Sequence, residues 1–209
     1  MPLGFIETEF VSVTAVVADM ACKSGNVQLL GIEPAGTEQI LLRFSGQSVS
    51  DLEAAVEAGR ETSERLGVPA RAWLVKGSPH PDLLKLNQSP LTINPLYGGR
   101  EEMQPSDLPE TTLRKRKNMK EAIGILETQG LTAALEATDA MLKSADVRLL
   151  GKEKIGAAYV TIMVAGNVAA VSAAIESGKA AVGNLGKLIA GHVIASPHNE
   201  LIPLLPDVK

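Results

Sequence analysis

The chain repeats itself, and the repeat limits what it can fold into. Shifting the sequence by 120 positions sets residues 4–31 on residues 124–151, with ten identities in 28 ungapped positions: Gly4, Glu7, Thr8, Asp19, Lys23, Ser24, Val27, Leu29, Leu30 and Gly31. The same shift pairs Gly46 with Gly166; one residue fewer pairs Gly59 with Gly178, and one fewer again pairs Ser78-Pro79-His80 with Ser196-Pro197-His198. A register that drifts by two residues over so long a span marks a tandem duplication, so whatever fold one copy takes the other must take too. The 209 residues divide accordingly into a first domain at 1–83, a connector at 84–118 and a second domain at 119–209.

Each copy reads strand, helix, strand, strand, helix, strand. After the opening strand, Val13, Val16, Val17 and Met20 recur at helical spacing, and Leu131, Leu135 and Leu142 are expected to form the equivalent core stripe in the second copy. Both helices stop at a Lys-Ser pair. Two strands joined by a small-residue loop follow, the later one alternating as Ile40, Leu42, Phe44 and as Val160, Ile162, Val164. The second helix of copy one is expected to open with a capping box at Ser50 and Glu53, and that of copy two with Asn167 as its cap. Their buried stripes are Leu52, Ala55, Val56, Gly59 and Val171, Ala174, Ile175, Gly178. The fold class is α/β in the α+β sense, with the helices of each domain packed on an antiparallel sheet.

Composition narrows the function classes. A hydrophobic content of 45% supports a full core, while aromatics are 3% of the chain, so small aliphatic side chains must do the packing. A net charge of -4 offers no basic face for nucleic acid or an anionic membrane. The single cysteine, Cys22, excludes an internal disulfide and a cysteine-based cluster within one chain. No window approaches the roughly 20 apolar residues of a membrane span, and the expectation is a soluble, cytoplasmic protein. The connector is rich in Pro, Gly and charge, and its basic run at 113–120 reads as a solvated lead-in to the second domain.

Ordered motifs then carry a resemblance. "AIGILETQG", "ATDAMLKSADVRLLGKEKIGAAYVTIMVAGNVAAVSAAIESG" and "HVIASPHNEL" in copy two, with "LGFIETEF", "VADMACKSGNVQLLGIEPAGT" and "LVKGSPHPDL" in copy one, resemble the bacterial microcompartment shell domain. The resemblance covers both domains and leaves the connector outside. It implies a structural protein, not an enzyme: three tandem chains would close into a flat pseudohexagonal plate. Such a plate would be a facet component of a shell around metabolic enzymes, with the homotrimer, other shell proteins and the encapsulated enzymes as partners and no cofactor.

The same resemblance implies roles for particular residues. The loop after the second strand lines a central pore for small metabolites in this family, which maps to Pro34, Ala35, Gly36 and Thr37 and to Lys154, Ile155, Gly156 and Ala157. By residue type alone these are also plain turns between strands. Charges beside them differ in sign, Glu33 and Glu38 against Lys152, Glu153 and Lys154, and name no solute. Plate-to-plate contact maps to Lys23 and Lys143, each otherwise an ordinary lysine suited to a helix C-terminus. The edge also takes in Ser78, His80, Ser196 and His198, with serine standing where the family commonly has arginine. His80 and His198 read first as turn residues, and Glu7 and Glu127 as structural. No residue set resembles a metal site, a triad or a phosphate loop. A trimeric small-molecule-binding regulatory protein is the alternative reading.

Overall fold

The computed structural model describes residues 1–36, 38–80, 121–202 and 205. The connector expected at 84–118 and Thr37 lie outside the described residues. In the first domain β1 (Leu3–Glu9) leads into α1 (Val11–Ser24), followed by β2 (Val27–Gly36), β3 (Gln39–Gly46), α2 (Val49–Arg65) and β4 (Ala72–Lys76). The second repeats the order as β5 (Ala122–Gln129), α3 (Leu131–Ser144), β6 (Arg148–Gly156), β7 (Tyr159–Gly166), α4 (Val168–Val182) and β8 (Lys187–Ile194). Each domain holds one four-stranded sheet, in the order β2-β3-β1-β4 and β6-β7-β5-β8, and every strand pair is antiparallel.

Pleat sets which residues meet the helices. On β5, Gly124 and Leu126 point to the domain's own helices, and a Cβ on Gly124 would lie 2.8 Å from Val171. Alternation therefore turns Ile123, Ile125 and Glu127 to the opposite face. The expected stripes of the second helices hold, since Leu52, Ala55, Val56 and Gly59 and their partners Val171, Ala174, Ile175 and Gly178 are buried. Gly178 is there for closeness: a Cβ would stand 2.6 Å from Met141 Cγ, so α4 has no room for a side chain where the Met141 side chain of α3 packs on it.

Two expectations about helices are corrected. The cap of α2 is Ser48, whose Oγ accepts from the Asp51 amide at 3.1 Å and donates to the Asp51 carboxylate at 2.6 Å. The cap thus sits two residues earlier than Ser50, and Asp51 answers Ser48 through its hydroxyl, not through the backbone amide that a capping box would use. Asn167 caps α4 as expected, accepting from Ala170 N at 2.8 Å. The second correction concerns α3, whose buried residues are Ala133, Ala134, Ala137 and Met141. Leu131, Leu135 and Leu142 stand 40%, 55% and 41% exposed. Small residues face the sheet because the sheet and α4 already bring large ones, and the leucines project from the other side.

The two domains share one core. Ala15, Ala18 and Cys22 of α1 are buried together with Ile123, Ile125, Met163, Ala165, Ile194 and Leu201 of the second domain. Thus α1 lies on its own sheet with one face and covers the outer face of the second sheet with the other.

Candidate functional site

Two places combine geometry with chemistry: the tips of the β2–β3 and β6–β7 hairpins, and the junction at which α1 meets the second sheet. At the tips the residues singled out by sequence lie mostly at the ends of strands. Pro34 to Gly36 close β2, Lys154 to Gly156 close β6, and the pairing is irregular at Pro34/Gly36 and at Lys154/Gly156 alike. Such irregularity re-aims side chains at the end of a ladder. Pro34, Ala35, Lys154, Gly156 and Ala157 are exposed. The turn of the second hairpin holds Ala157 at φ 45° and Ala158 at φ 62°. Positive φ at both central positions is what a two-residue hairpin needs to follow strand twist, here met by alanines at a cost in backbone strain.

Each tip is fastened to the start of its domain's first helix by the same bond. Phe10 N donates to Glu38 O at 3.0 Å, and Gly130 N donates to Ala158 O at 2.9 Å. Gly130 takes φ 122° freely, whereas Phe10 holds φ 65° with a bulky side chain. The Phe10 ring has a partner to hold it there: it packs on Tyr159 with centroids 5.5 Å apart. Burial first, then the Glu38 carboxylate, holds the Tyr159 phenol above its ordinary range. Through Phe10, Glu38 and Tyr159 the two tips lie side by side.

At the junction two carboxylates hold α1 by its ends. Glu127, buried on β5, accepts from Val11 N at 3.3 Å, Ser12 N at 2.9 Å and Ser12 Oγ at 2.6 Å. These are the amides a helix N-terminus leaves without partners, and α1 has no side-chain cap of its own. Burial raises the Glu127 carboxyl above its usual range, against the pull of the Ser12 and Val11 donors. At the far end Asp19 accepts from His198 N at 2.6 Å through Oδ1 and from Lys23 Nζ at 2.6 Å through Oδ2. Burial, followed by the charges of Glu200 and Asp19, pushes the nearby Cys22 thiol up to about 12.

The remaining predicted residues are surface ones. Lys23 and Lys143 each bond the aspartate one turn earlier, Asp19 and Asp139, and their side chains are 37% and 75% exposed. Ser78, His80 and Ser196 are exposed. His198 is tucked into a turn, its Nδ1 accepting from Glu200 N at 3.3 Å. Sequence reading took Glu127 for a structural residue but missed that it joins the repeats. The signal available was its recurrence as Glu7 beside a recurring threonine. Among the described residues no group of three or more His, Cys, Asp or Glu side chains is placed to hold a metal ion, and no helix is long and apolar enough to cross a membrane.

Comparison with known proteins places both repeats. The BMC domain family matches residues 2–73 and 122–197. The microcompartment shell proteins PduA of Citrobacter freundii and of Salmonella typhimurium are each 55% identical over 86 residues, 41% of this chain and 92% of theirs. The carboxysome shell protein CsoS1 of Prochlorococcus marinus is 49% identical over 85 residues, 40% of this chain and 82% of its own. A solved microcompartment protein from Desulfitobacterium hafniense aligns at 20% identity with a TM-score of 0.38, over 96% of this chain and 97% of that one.

Proposed function

The chain belongs to the BMC domain family as a tandem-domain shell protein of bacterial microcompartments, and on that premise we propose that three copies close into a pseudohexagonal plate with a central pore. The observation that carries the proposal is the junction between the repeats. It is head to tail: a helix of the first domain sits on the outer sheet face of the second, and the second domain's own helix is left with its leucines exposed. A heterologous contact of this kind either closes into a ring or runs on as a filament, and six domains from three chains satisfy closure.

The pore would be lined alternately by Pro34, Ala35, Gly36 and Thr37 and by Lys154, Ile155, Gly156 and Ala157. The side-by-side hairpin tips support this, because a ring that brings one tip to its axis brings the other there too. Small residues keep such a path open and leave backbone amides to face a passing small metabolite. Lys23 and Lys143, with the Ser78–His80 and Ser196–His198 turns, would meet neighbouring plates, including those of other shell proteins, on the way to enclosing enzymes. Lys143 is the freer of the two lysines and the one expected to reach across; Lys23 would first have to leave the buried Asp19.

Native mass across a concentration series tests the plate. A stable species of three times the 22.0 kDa chain that grows into sheets on concentration is the expected result. A persistent monomer or dimer would remove the ring and the pore with it, and trimers that never form sheets would favour a binding role over a shell one.

A further inference from the structure

The internal junction has a counterpart on the first sheet that is only partly covered: Leu3, Arg43 and Ser45 are buried there, while Phe5 and Glu7 are half-buried. Glu7 occupies on β1 the place that Glu127 occupies on β5, and Thr132 stands in α3 where Ser12 stands in α1. The Glu7 carboxylate takes no hydrogen bond among the described residues, and α3 follows Gly130 with no side-chain cap, leaving Leu131 and Thr132 exposed. The apolar parts correspond as well. Ala15 and Cys22 are buried on the second sheet, whereas their equivalents Leu135 and Leu142 are exposed. On the first sheet Phe5 pairs with Leu74 across β1 and β4, pointing away from the domain's own helices, and Leu74 is half exposed.

We propose that Glu7 is a socket for the α3 N-terminus of a second copy of this chain. Its carboxylate takes hydrogen bonds from the Leu131 and Thr132 amides and the Thr132 hydroxyl, while Leu135 and Leu142 cover Phe5 and Leu74. The proposal rests on the ring described above and names its closing contact. A second copy is the occupant because the same pair of surfaces is already joined inside the chain, with the same carboxylate-to-hydroxyl chemistry at its centre. Retention of a hydroxyl at Thr132, on an exposed first helical turn where it caps nothing of its own, fits that use.

The two junctions are also not interchangeable. In α1 the contact positions are small, Ala15, Ala18 and Cys22, against Ile123, Ile125 and Met163. In α3 they are Leu135, Thr138 and Leu142, and leucine in place of Ala15 would overfill the packed internal socket. Arg43 and Ser45 on the first sheet replace Met163 and Ala165. Each helix therefore fits one socket, which keeps α3 from displacing α1 and leaves it for another chain.

The test compares wild type with Glu7→Ala, Thr132→Val, and both together, by native mass over a dilution series alongside thermal melting of the dissociated chain. Each single change is expected to raise the concentration of half-assembly at least tenfold, the double no more than a single because the two groups share one contact, with melting of the lone chain unchanged. A wild-type trimer whose midpoint is untouched by either change would overturn the socket and leave the ring standing. A wild-type chain that never forms trimers would overturn both. If Glu7→Ala fails to fold, Thr132→Val and Leu135→Ser on the exposed face of α3 carry the same comparison. Slow hydrogen exchange at Leu131 and Thr132 in a chain that stays monomeric would assign the socket to another segment of the same chain and refute a second copy as its occupant.

Discussion

Glu127 shows how a single side chain ties a duplicated protein together. A carboxylate with three donors around it would ordinarily favour its charged form, yet burial outweighs them and raises its proton affinity. Replacing it by alanine strands the buried Ser12 amide and hydroxyl and the part-buried Val11 amide at the start of α1. Glu127→Ala is therefore expected to cost about 3 kcal/mol in urea unfolding. The pH response has a definite sign. With the native carboxyl titrating above the unfolded value of about 4.3, the native state holds more protons between those two points. This term is fully present below the unfolded value and is lost as pH rises through the native one. Relative to Glu127→Gln, which has no such titration, the wild type should gain stability as pH falls from neutrality towards that range. A gain in the opposite direction in paired denaturation curves would mean that the Ser12 and Val11 donors, not burial, control the group.

Among the elements, the first helices carry the lesson. Apolar spacing in α1 and α3 was legible, and both helices end at the Lys-Ser pair that the sequence marks. Spacing did not distinguish a stripe turned to the domain's own core from one turned to a neighbour. Leu131, Leu135 and Leu142 were expected inside because they recur at helical intervals, but Ala133, Ala134, Ala137 and Met141 hold that place. An amphipathic period gives a face and not its occupant. The cap of α2 failed for a related reason: Ser48 and Ser50 both precede an acidic residue three positions on, and only backbone geometry selects Ser48, which is extended while Ser50 is helical. The close pass of α3 over α4 gives a prediction at this scale. Gly178→Ala sets a Cβ 2.6 Å from Met141 Cγ and 2.7 Å from its sulfur, and is expected to cost about 1–3 kcal/mol, softened by the flexibility of methionine. Thermal melting of that variant with Met141→Ala added should recover part of the loss; no recovery would place the strain elsewhere.

Across the whole molecule, the shared core is expected to make the two domains unfold together. Cys22 reports on it, because its thiol is buried between α1 and the second domain and is pushed up to about 12. Native protein at pH 8 is expected to resist alkylation, with labelling appearing only in step with global unfolding. Labelling that precedes the loss of helical signal would mean that the domains part before they unfold. The same junction leaves the α3 leucines exposed and Leu74 half exposed beside Phe5, and on the proposed ring these would be the surfaces through which whole chains meet.

The duplication, the element order, the antiparallel α+β class and the stripes of α2 and α4 were determined by the sequence alone. Each depends on local periodicity and on residues that recur at a fixed offset, and both survive without knowledge of what lies across the chain. The partnership of Glu127 with Ser12, the clamp of Asp19 on His198 and the outward leucines of α3 were decided by tertiary structure. Those contacts join residues 115 and 179 positions apart, or depend on which of two faces a neighbour covers. A duplicated sequence writes the same phrase twice, and only packing assigns one copy to the inside of the chain and the other to its surface.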